Sequence, residues 1–569
     1  VNGTPDALHR LRRAVADNPS DFIARVMLAD AELDHGDPDA GLRASMQALQ
    51  LRPAHPEALA RLGRAHWMRG EHVPAVAALR QAVAGAPEHP GMTLWLAHAL
   101  EDAGDAEDAA LTYQRAHELL PDEPVCASHL LNWRRRICDW RDLDRLSAQV
   151  RGAVASGRPG MEPFAFLSED AGPDEQLACA RLGARRFRTV ARAQPIARDD
   201  GRDLRLGFLS NGFGSHPTGL LTVAMFEALG QLPGVEAHLF ALNRPDGGAI
   251  TRRLREASRL HEVAGLSHAL VAQRIREREV QVLFDLRGWG GGGRPEVLAL
   301  RPAPVQVNWL AYPGTSGAPW MDYVLADGFV LPEALAAHFS EQVVRLPRCF
   351  QPSDTTRATD GGLSRDQCGL PPEGFVFCYF NNSYKLNPRS VRRMLEVLQA
   401  VEGSVLWLLS GPGQADRRLR AEGARHGVDP ERLVFMAKQP HVAYMQRYRH
   451  ADLFLDTNPY NAHTTASDAL WAGCPVLTLP GDTFASRVAG SMNHHLGLHE
   501  MNVGSDEAFV AKAAALARNP VDLSRLKLRL RQARSEPGLF DMTGFARDFV
   551  DAARVMLARS SSVPERPVG

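Results

Sequence analysis

The sequence predicts an α-helical repeat superhelix followed by an α/β part made of two Rossmann-like lobes. Three observations carry that prediction. Small residues and prolines recur at a fixed 34-residue spacing through the first third. Two strand–helix alternations fill the rest, and a polar, glycine-rich break near 355–364 separates them as a hinge. The expected division is 1–155 for the repeats and following helices, 156–201 for a helical connection, 202–360 for the first lobe and 361–569 for the second.

The repeats come first. Pro19, Pro53, Pro87 and Pro121 are each 34 residues apart, as are Gly36, Gly70 and Gly104, and Leu28, Leu62 and Leu96. Ala14, Ala48, Ala82 and Ala116 keep the same period, and Ala29, Gly63 and Ala97 mark close helix–helix approach. A period of 34 with small–large pairing and a closing proline is the tetratricopeptide signature, a helix–turn–helix unit stacked into a superhelix. One partial and three complete units are expected, then helix over about 125–155. Such an array either props up the rest of the chain or offers a concave groove to an extended acceptor peptide or partner protein.

The connecting segment from Gly152 to Arg202 is rich in Pro, Gly, Ala and Arg, with one helix expected near 174–191. Buried strands are expected near 204–210, 235–241, 280–286, 305–310 and 322–326 in the first lobe. The second lobe should have them near 375–380, 404–410, 432–436, 451–455 and 475–479. Amphipathic helices between apolar strands argue for parallel sheets covered on both faces, with ligand bound at the strands' carboxyl ends, in the cleft between lobes.

Composition narrows the function. Lys and Arg number 65 against 66 Asp and Glu, so no net basicity favours nucleic acid or an anionic membrane. No apolar run approaches a membrane span, and the opening Val1-Asn2-Gly3-Thr4-Pro5 lacks a secretion signal, so a cytoplasmic protein is expected. Seven scattered cysteines without a Cys-x-x-Cys pair fit reduced thiols and argue against zinc.

The most informative stretch is Asp456 to Gly481. A helix beginning at His463-Thr464-Thr465 after a buried strand offers free backbone N–H groups and a positive dipole end to a diphosphate. Asp468, one turn on, can accept from a ribose; the plain alternative is a capped helix in an ordinary α/β domain. Lys385, after the second lobe's first strand, would complete a cationic clamp, although a surface lysine is the commoner fate. Lys438 and His441 follow the strand ending at Met436 and suit ribose and base. In the first lobe His216, in Asn211-Gly212-Phe213-Gly214-Ser215-His216-Pro217-Thr218, would project from a strand end into the cleft or serve as a cap. No Asp-x-Asp motif in the lobes and no acidic cluster points to Mg²⁺, so no cofactor or metal is expected; a lysine and a helix N-terminus can carry leaving-group charge.

The repeats, the run Arg301-Pro302-Ala303-Pro304-Val305-Gln306-Val307-Asn308-Trp309-Leu310-Ala311-Tyr312-Pro313-Gly314-Thr315-Ser316-Gly317 and the His463-Thr464-Thr465 segment together closely resemble the O-linked N-acetylglucosamine transferases, in a bacterial form. The resemblance covers nearly the whole chain. It implies a GT-B fold and inverting, metal-independent transfer from UDP-N-acetylglucosamine to Ser or Thr hydroxyls of proteins. By position, it implies that His463, Thr464 and Thr465 hold the diphosphate, Asp468 the ribose, and Lys438 and His441 ribose and uracil. Ala437 would offer its backbone to the base. Lys385 would stabilise the leaving UDP, with Asn382 where the animal enzymes carry Gln. His216, Pro217, Thr218, Leu310 and Ala311 would form the sugar pocket, with His216 and Lys385 as the catalytic candidates.

Three departures qualify the likeness. Gly212 stands where the animal enzymes have Asp, and no histidine lies between His129 and His216, where they carry a proposed general base. The base is then His216 or a donor phosphate oxygen. The large domain inserted between the lobes of animal enzymes is missing near 349–372, which leaves the chemistry untouched. Other readings are GDP-fucose to Ser/Thr, UDP-glucose to Asn, or a scaffold that only binds nucleotide.

Overall fold

The computed structural model describes residues 5–187 and 203–560, in two compact units. The first comprises residues up to Val150 with Gly411–Ala415; the second comprises Arg151–Ser410 and residues from Asp416 onward.

In the first unit a single helix, Pro5–Asp17, precedes three helical hairpins: Phe22–Asp34 with Pro38–Leu51, Pro56–Met68 with His72–Gly85, and Pro90–Ala103 with Ala106–Leu119. Each first helix turns into its partner at Gly36, Gly70 or Gly104, with φ of +80°, +74° and +80°, a conformation that favours glycine. Ala29 and Ala97 are fully buried, and a Cβ on Gly63 would meet Leu79 Cγ at 2.6 Å, so the small-residue ladder marks where the helices touch. Beyond Pro121 the expected helical stretch is two helices, Pro124–Arg136 and Leu143–Ala155.

The second unit opens with a one-turn helix, Pro163–Phe166, and a helix Pro173–Ala184. That helix stops at Ala184, short of the expected 191; the rest of the expectation, from 188, lies outside the described residues.

Twelve strands follow among the described residues. In the first sheet they are β1 Leu204–Ser210, β2 Val235–Ala241, β3 Arg259–Glu262, β4 Val282–Asp285, β5 Val305–Asn308, β6 Tyr323–Asp327 and β7 Gln342–Leu346. The second has β8 Val376–Tyr379, β9 Val405–Leu409, β10 Leu433–Met436, β11 Leu453–Leu455 and β12 Val476–Leu477. The orders are β3-β2-β1-β4-β5-β6-β7 and β10-β9-β8-β11-β12, with parallel pairing throughout. Sequence reading missed only β3 and β7, the edge strands of the first sheet.

Both orders reverse next to the first strand of the sheet, between β1 and β4 and between β8 and β11. Loops leaving those strands diverge there and open a crevice at the carboxyl ends.

Two further features shape the cleft. The helix Met542–Ser560, placed by the sequence reading in the second lobe, packs on the first sheet instead. Its Phe549 lies 5.9 Å from Phe208, 4.6 Å from Phe284 and 4.7 Å from Trp309, centroid to centroid. The expected hinge near 355–364 is anchored at its start: Arg357 is buried and ion-pairs with Asp468 at 2.5 Å.

Candidate active site

At the crevice of the second sheet, the loop after β11 is held by the buried Asp456. Its carboxylate accepts from Thr478 Oγ1 at 2.7 Å, Ala462 N at 2.7 Å and Thr457 N at 2.8 Å. Those bonds fix the approach to the helix Thr464–Ala472, which begins as the sequence predicts and has no side-chain cap on its first turn. Its first N–H groups and dipole face the crevice, an arrangement that suits an anion.

His463 sits at the helix start with Nε2 3.2 Å from the Ala485 carbonyl, to which the neutral ring donates. Burial, and secondarily Lys385, push its pKa well down, so the ring stays neutral and keeps a lone pair on Nδ1. Its ring N–H is therefore committed to Ala485. What His463 can present to an anion is the helix start that it opens.

Lys385 is no surface lysine. It is 8% exposed, donates from Nζ to Asn461 O at 2.6 Å and lies 4.0 Å from the centre of the Tyr460 ring. Burial pulls its pKa down, and Asp456 opposes that pull. Asp456 in turn is pushed up by burial. A buried ammonium beside an open helix start gains strongly from an anionic ligand.

Asp468 lies one turn inside the helix, 2% exposed. Its Oδ1 is held by Arg357, while His441 Nε2 lies 3.4 Å from both carboxylate oxygens. The carboxylate thus has a built-in counter-ion that sequence reading missed, and His441 is its neighbour. Lys438 is exposed on the strand's following loop, and Ala437, also exposed, already accepts on its carbonyl from Gln439 Nε2 at 3.1 Å. Asn382 is exposed and caps the turn Ser383–Lys385 with its carbonyl. Its neighbour Asn381 is buried, accepts from the Thr465 hydroxyl and leaves Nδ2 without a partner, an unforeseen donor at the helix start.

In the first sheet, His216 caps the helix Pro217–Leu229, with Pro217 at the first helical position. Its Nδ1 accepts from Thr218 N at 3.2 Å, which places the proton of the neutral ring on Nε2. Burial, then Arg287 and Lys438, lower its pKa to about 4. Lys438 belongs to the second lobe, so the lobes face one another here. Gly212 follows from the same geometry, because a Cβ there would meet His216 Nδ1 at 2.5 Å. Thr218 is buried behind the cap.

Leu310 and Ala311 follow β5. Leu310 holds φ at +83°, a conformation costly for a branched side chain and typical of functional loops. Just beyond, Tyr312 packs with Tyr460 and Leu167 against Trp289 and Tyr384, so aromatic residues of both lobes meet beside Lys385.

Comparison with known proteins places the chain among glycosyltransferases. Residues 186–360 and 362–549 match the glycosyl transferase family 41 profile, and 2–50, 26–90 and 74–124 match the tetratricopeptide repeat. A probable UDP-N-acetylglucosamine–peptide N-acetylglucosaminyltransferase of Arabidopsis thaliana is 33% identical over 72% of this chain and 45% of its own length. The UDP-N-acetylglucosamine–peptide N-acetylglucosaminyltransferase of Caenorhabditis elegans is 26% identical over 75% of this chain and 48% of its own. The chain thus spans about half the length of these curated relatives. A solved mutant of the Thermobaculum terrenum O-GlcNAc transferase superposes with a TM-score of 0.70 at 29% identity, covering 95% of this chain and 98% of that one. With repeats ahead of two parallel sheets whose crevices face each other, and the family profile matched across both lobes, the chain belongs to glycosyl transferase family 41.

Proposed function

We propose that the chain transfers N-acetylglucosamine from UDP-N-acetylglucosamine to Ser or Thr hydroxyls of proteins, with inversion and without a metal. The observation that carries this reading is the buried Lys385 beside the uncapped start of the Thr464–Ala472 helix. An ammonium and a row of N–H groups are what a departing nucleoside diphosphate needs. The activities of the relatives suggest the sugar and the acceptor class.

In this reading the helix start at His463, Thr464 and Thr465 receives the diphosphate, and Lys385 neutralises the charge that grows on it as the glycosidic bond breaks. Asp468, oriented by Arg357, accepts from the ribose, and His441 and Lys438 flank ribose and base, with Ala437 and Asn382 at the rim. His216, Pro217, Thr218, Leu310 and Ala311 border the sugar. Among the described residues, the one His/Glu group with metal-ligand spacing is His98, Glu101 and His129, in the repeat unit, where Tyr113 already bonds both His98 and Glu101. In this reading cationic side chains and the helix start supply the charge compensation in the crevice. The His216 lone pair faces Thr218 N–H, so a donor phosphate oxygen is the better acceptor for the hydroxyl proton. The repeat groove would present the acceptor protein.

The test is titration with UDP, GDP, UDP-N-acetylglucosamine, UDP-glucose and GDP-fucose, followed by transfer assays in excess chelator. Uridine compounds should bind in preference to guanosine ones. Mass spectrometry should then find one N-acetylhexosamine on Ser or Thr. Preference for GDP, or activity lost in EDTA and restored by Mg²⁺ or Mn²⁺, would reject the reading.

A further inference from the structure

The glycine-rich run Arg287-Gly288-Trp289-Gly290-Gly291-Gly292-Gly293 leaves β4 beside the first sheet's crevice, directly across from the β1 loop that carries His216. It folds into a tight turn around the arginine. Arg287 Nε donates to Gly291 O at 2.7 Å, and Asn211 Nδ2, from the β1 loop, donates to the same carbonyl at 3.1 Å. Side chains are excluded from the turn. A Cβ on Gly292, which holds φ at +78°, would meet Asn211 Nδ2 at 1.9 Å, and one on Gly293 would meet Gly288 O at 2.4 Å. The turn therefore sets the direction of a guanidinium.

That guanidinium makes no direct ion pair among the described residues, and the nearby Asp285 carboxylate only partly offsets its charge against burial. Asp285 accepts from the backbone N–H of Arg287 at 2.9 Å, not from its side chain, whose Nε is bonded to the Gly291 carbonyl. Its Nη1 instead lies 3.4 Å from His216 Nε2. Because Nδ1 of that ring accepts from Thr218, Nε2 carries the proton, so two N–H donors converge with no acceptor between them. Reversing the tautomer would only move the conflict to Thr218 N–H. The arrangement calls for an oxygen from outside the chain, and a half-desolvated arginine favours a charged one. Arg287 also acts electrostatically on Tyr384 and Tyr460, the rings that flank Lys385, so positive charge reaches the same space from both sheets.

We infer that Arg287, paired with His216 Nε2–H, is a second diphosphate-binding group, which holds an anionic oxygen of the nucleotide donor from the side opposite Lys385 and the helix start at His463. The inference rests on the nucleotide reading above for the source of that diphosphate. It makes Arg287 a direct partner of the leaving group, absent from the sequence reading because a lone arginine in a glycine run carries no motif.

The experiment is calorimetric titration of the wild type, Arg287→Gln and Arg287→Lys with inorganic pyrophosphate, UDP and uridine, with circular dichroism as the folding control. Arg287→Gln should weaken pyrophosphate and UDP about 10- to 100-fold, the scale of a hydrogen bond to a charged group, and leave uridine unchanged. Arg287→Lys should recover part of the loss, since it restores the charge but not the fork. A wild type that binds pyrophosphate through Arg287 but ignores uridine compounds supports the inference and rejects the nucleotide reading. Uridine-selective binding that Arg287→Gln leaves unchanged does the reverse. Failure of the wild type to bind pyrophosphate and UDP, or an equal loss for uridine, overturns the inference.

Discussion

Replacing Lys385 by Met keeps the length and apolar stem of the side chain and removes its charge. An exposed lysine lost in this way would cost at most about 1 kcal/mol, because water screens the pair. Lys385 is 8% exposed and aims at Asn461 O from 2.6 Å, so its charge acts in a poorly screened site. Loss of a preorganised charge stabiliser there should lower kcat about 10²–10³-fold. The structural cost is smaller. Asn461 O loses one donor, about 1–3 kcal/mol, while Asp456 keeps its three hydrogen bonds. The pH profile supplies a second signature. Burial lowers the pKa of Lys385, so in the free enzyme the ammonium deprotonates below the ordinary lysine range, and kcat/KM should fall on the alkaline side earlier than a free lysine would dictate. Bound diphosphate favours the charged form, so the same limb should move upward in kcat. The assay is steady-state donor turnover across neutral and alkaline pH for wild type and Lys385→Met, with thermal unfolding as control. A folded variant within fivefold of wild-type kcat, or one that keeps the alkaline limb, would refute the reasoning.

Three other outcomes are expected. Arg357→Ala leaves Asp468 as a buried carboxylate facing only His441, with side-chain exposures of 2% and 3% in the original pair; it should destabilise the α/β unit by about 3–5 kcal/mol, seen as a lower unfolding midpoint. His216→Ala removes a helix cap worth about 1 kcal/mol and one donor facing the ligand, and should raise the donor KM more than it lowers kcat; a kcat drop beyond about 10³-fold at unchanged KM would restore it as the base. Stability should also fall on acidification. His98, His216 and His261 have folded pKa values lowered to about 4 by burial, so the unfolded chain takes up protons first as pH drops below about 6.5. The loss should be complete near their folded values, and urea midpoints that stay constant from pH 7 to 4.5 would contradict this.

What could be read from the sequence was local. The repeats declare themselves because their glycine turns and small-residue contacts return at one fixed spacing. The Thr464–Ala472 helix and its flanking strands were legible because apolar runs and a polar loop mark their bounds. The edge strands β3 and β7 were not, being only partly buried and broken up by charged or polar residues. The candidate site was half legible. Lys385 and the helix start follow strands in an obvious way, but the partner that orients Asp468 comes from 111 residues away, and Asn381 and Tyr460 acquire meaning only from what they touch. The committed ring N–H of His463 and the tautomer of His216 depend on single carbonyl and amide contacts that no spacing encodes.

The return of the Met542–Ser560 helix to the first sheet has a practical consequence for dissection. Phe208, Phe284 and Trp309 of the first lobe are covered by Phe549, and Arg348, at the end of that lobe, is ion-paired with Asp541 and Asp548. A fragment cut near residue 360 would bare an aromatic patch and orphan an arginine, which marks it for aggregation. The two lobes are separate sheets but not separable pieces: a soluble half-enzyme would have to carry the final helix grafted behind β7, or replace the aromatic residues it shelters.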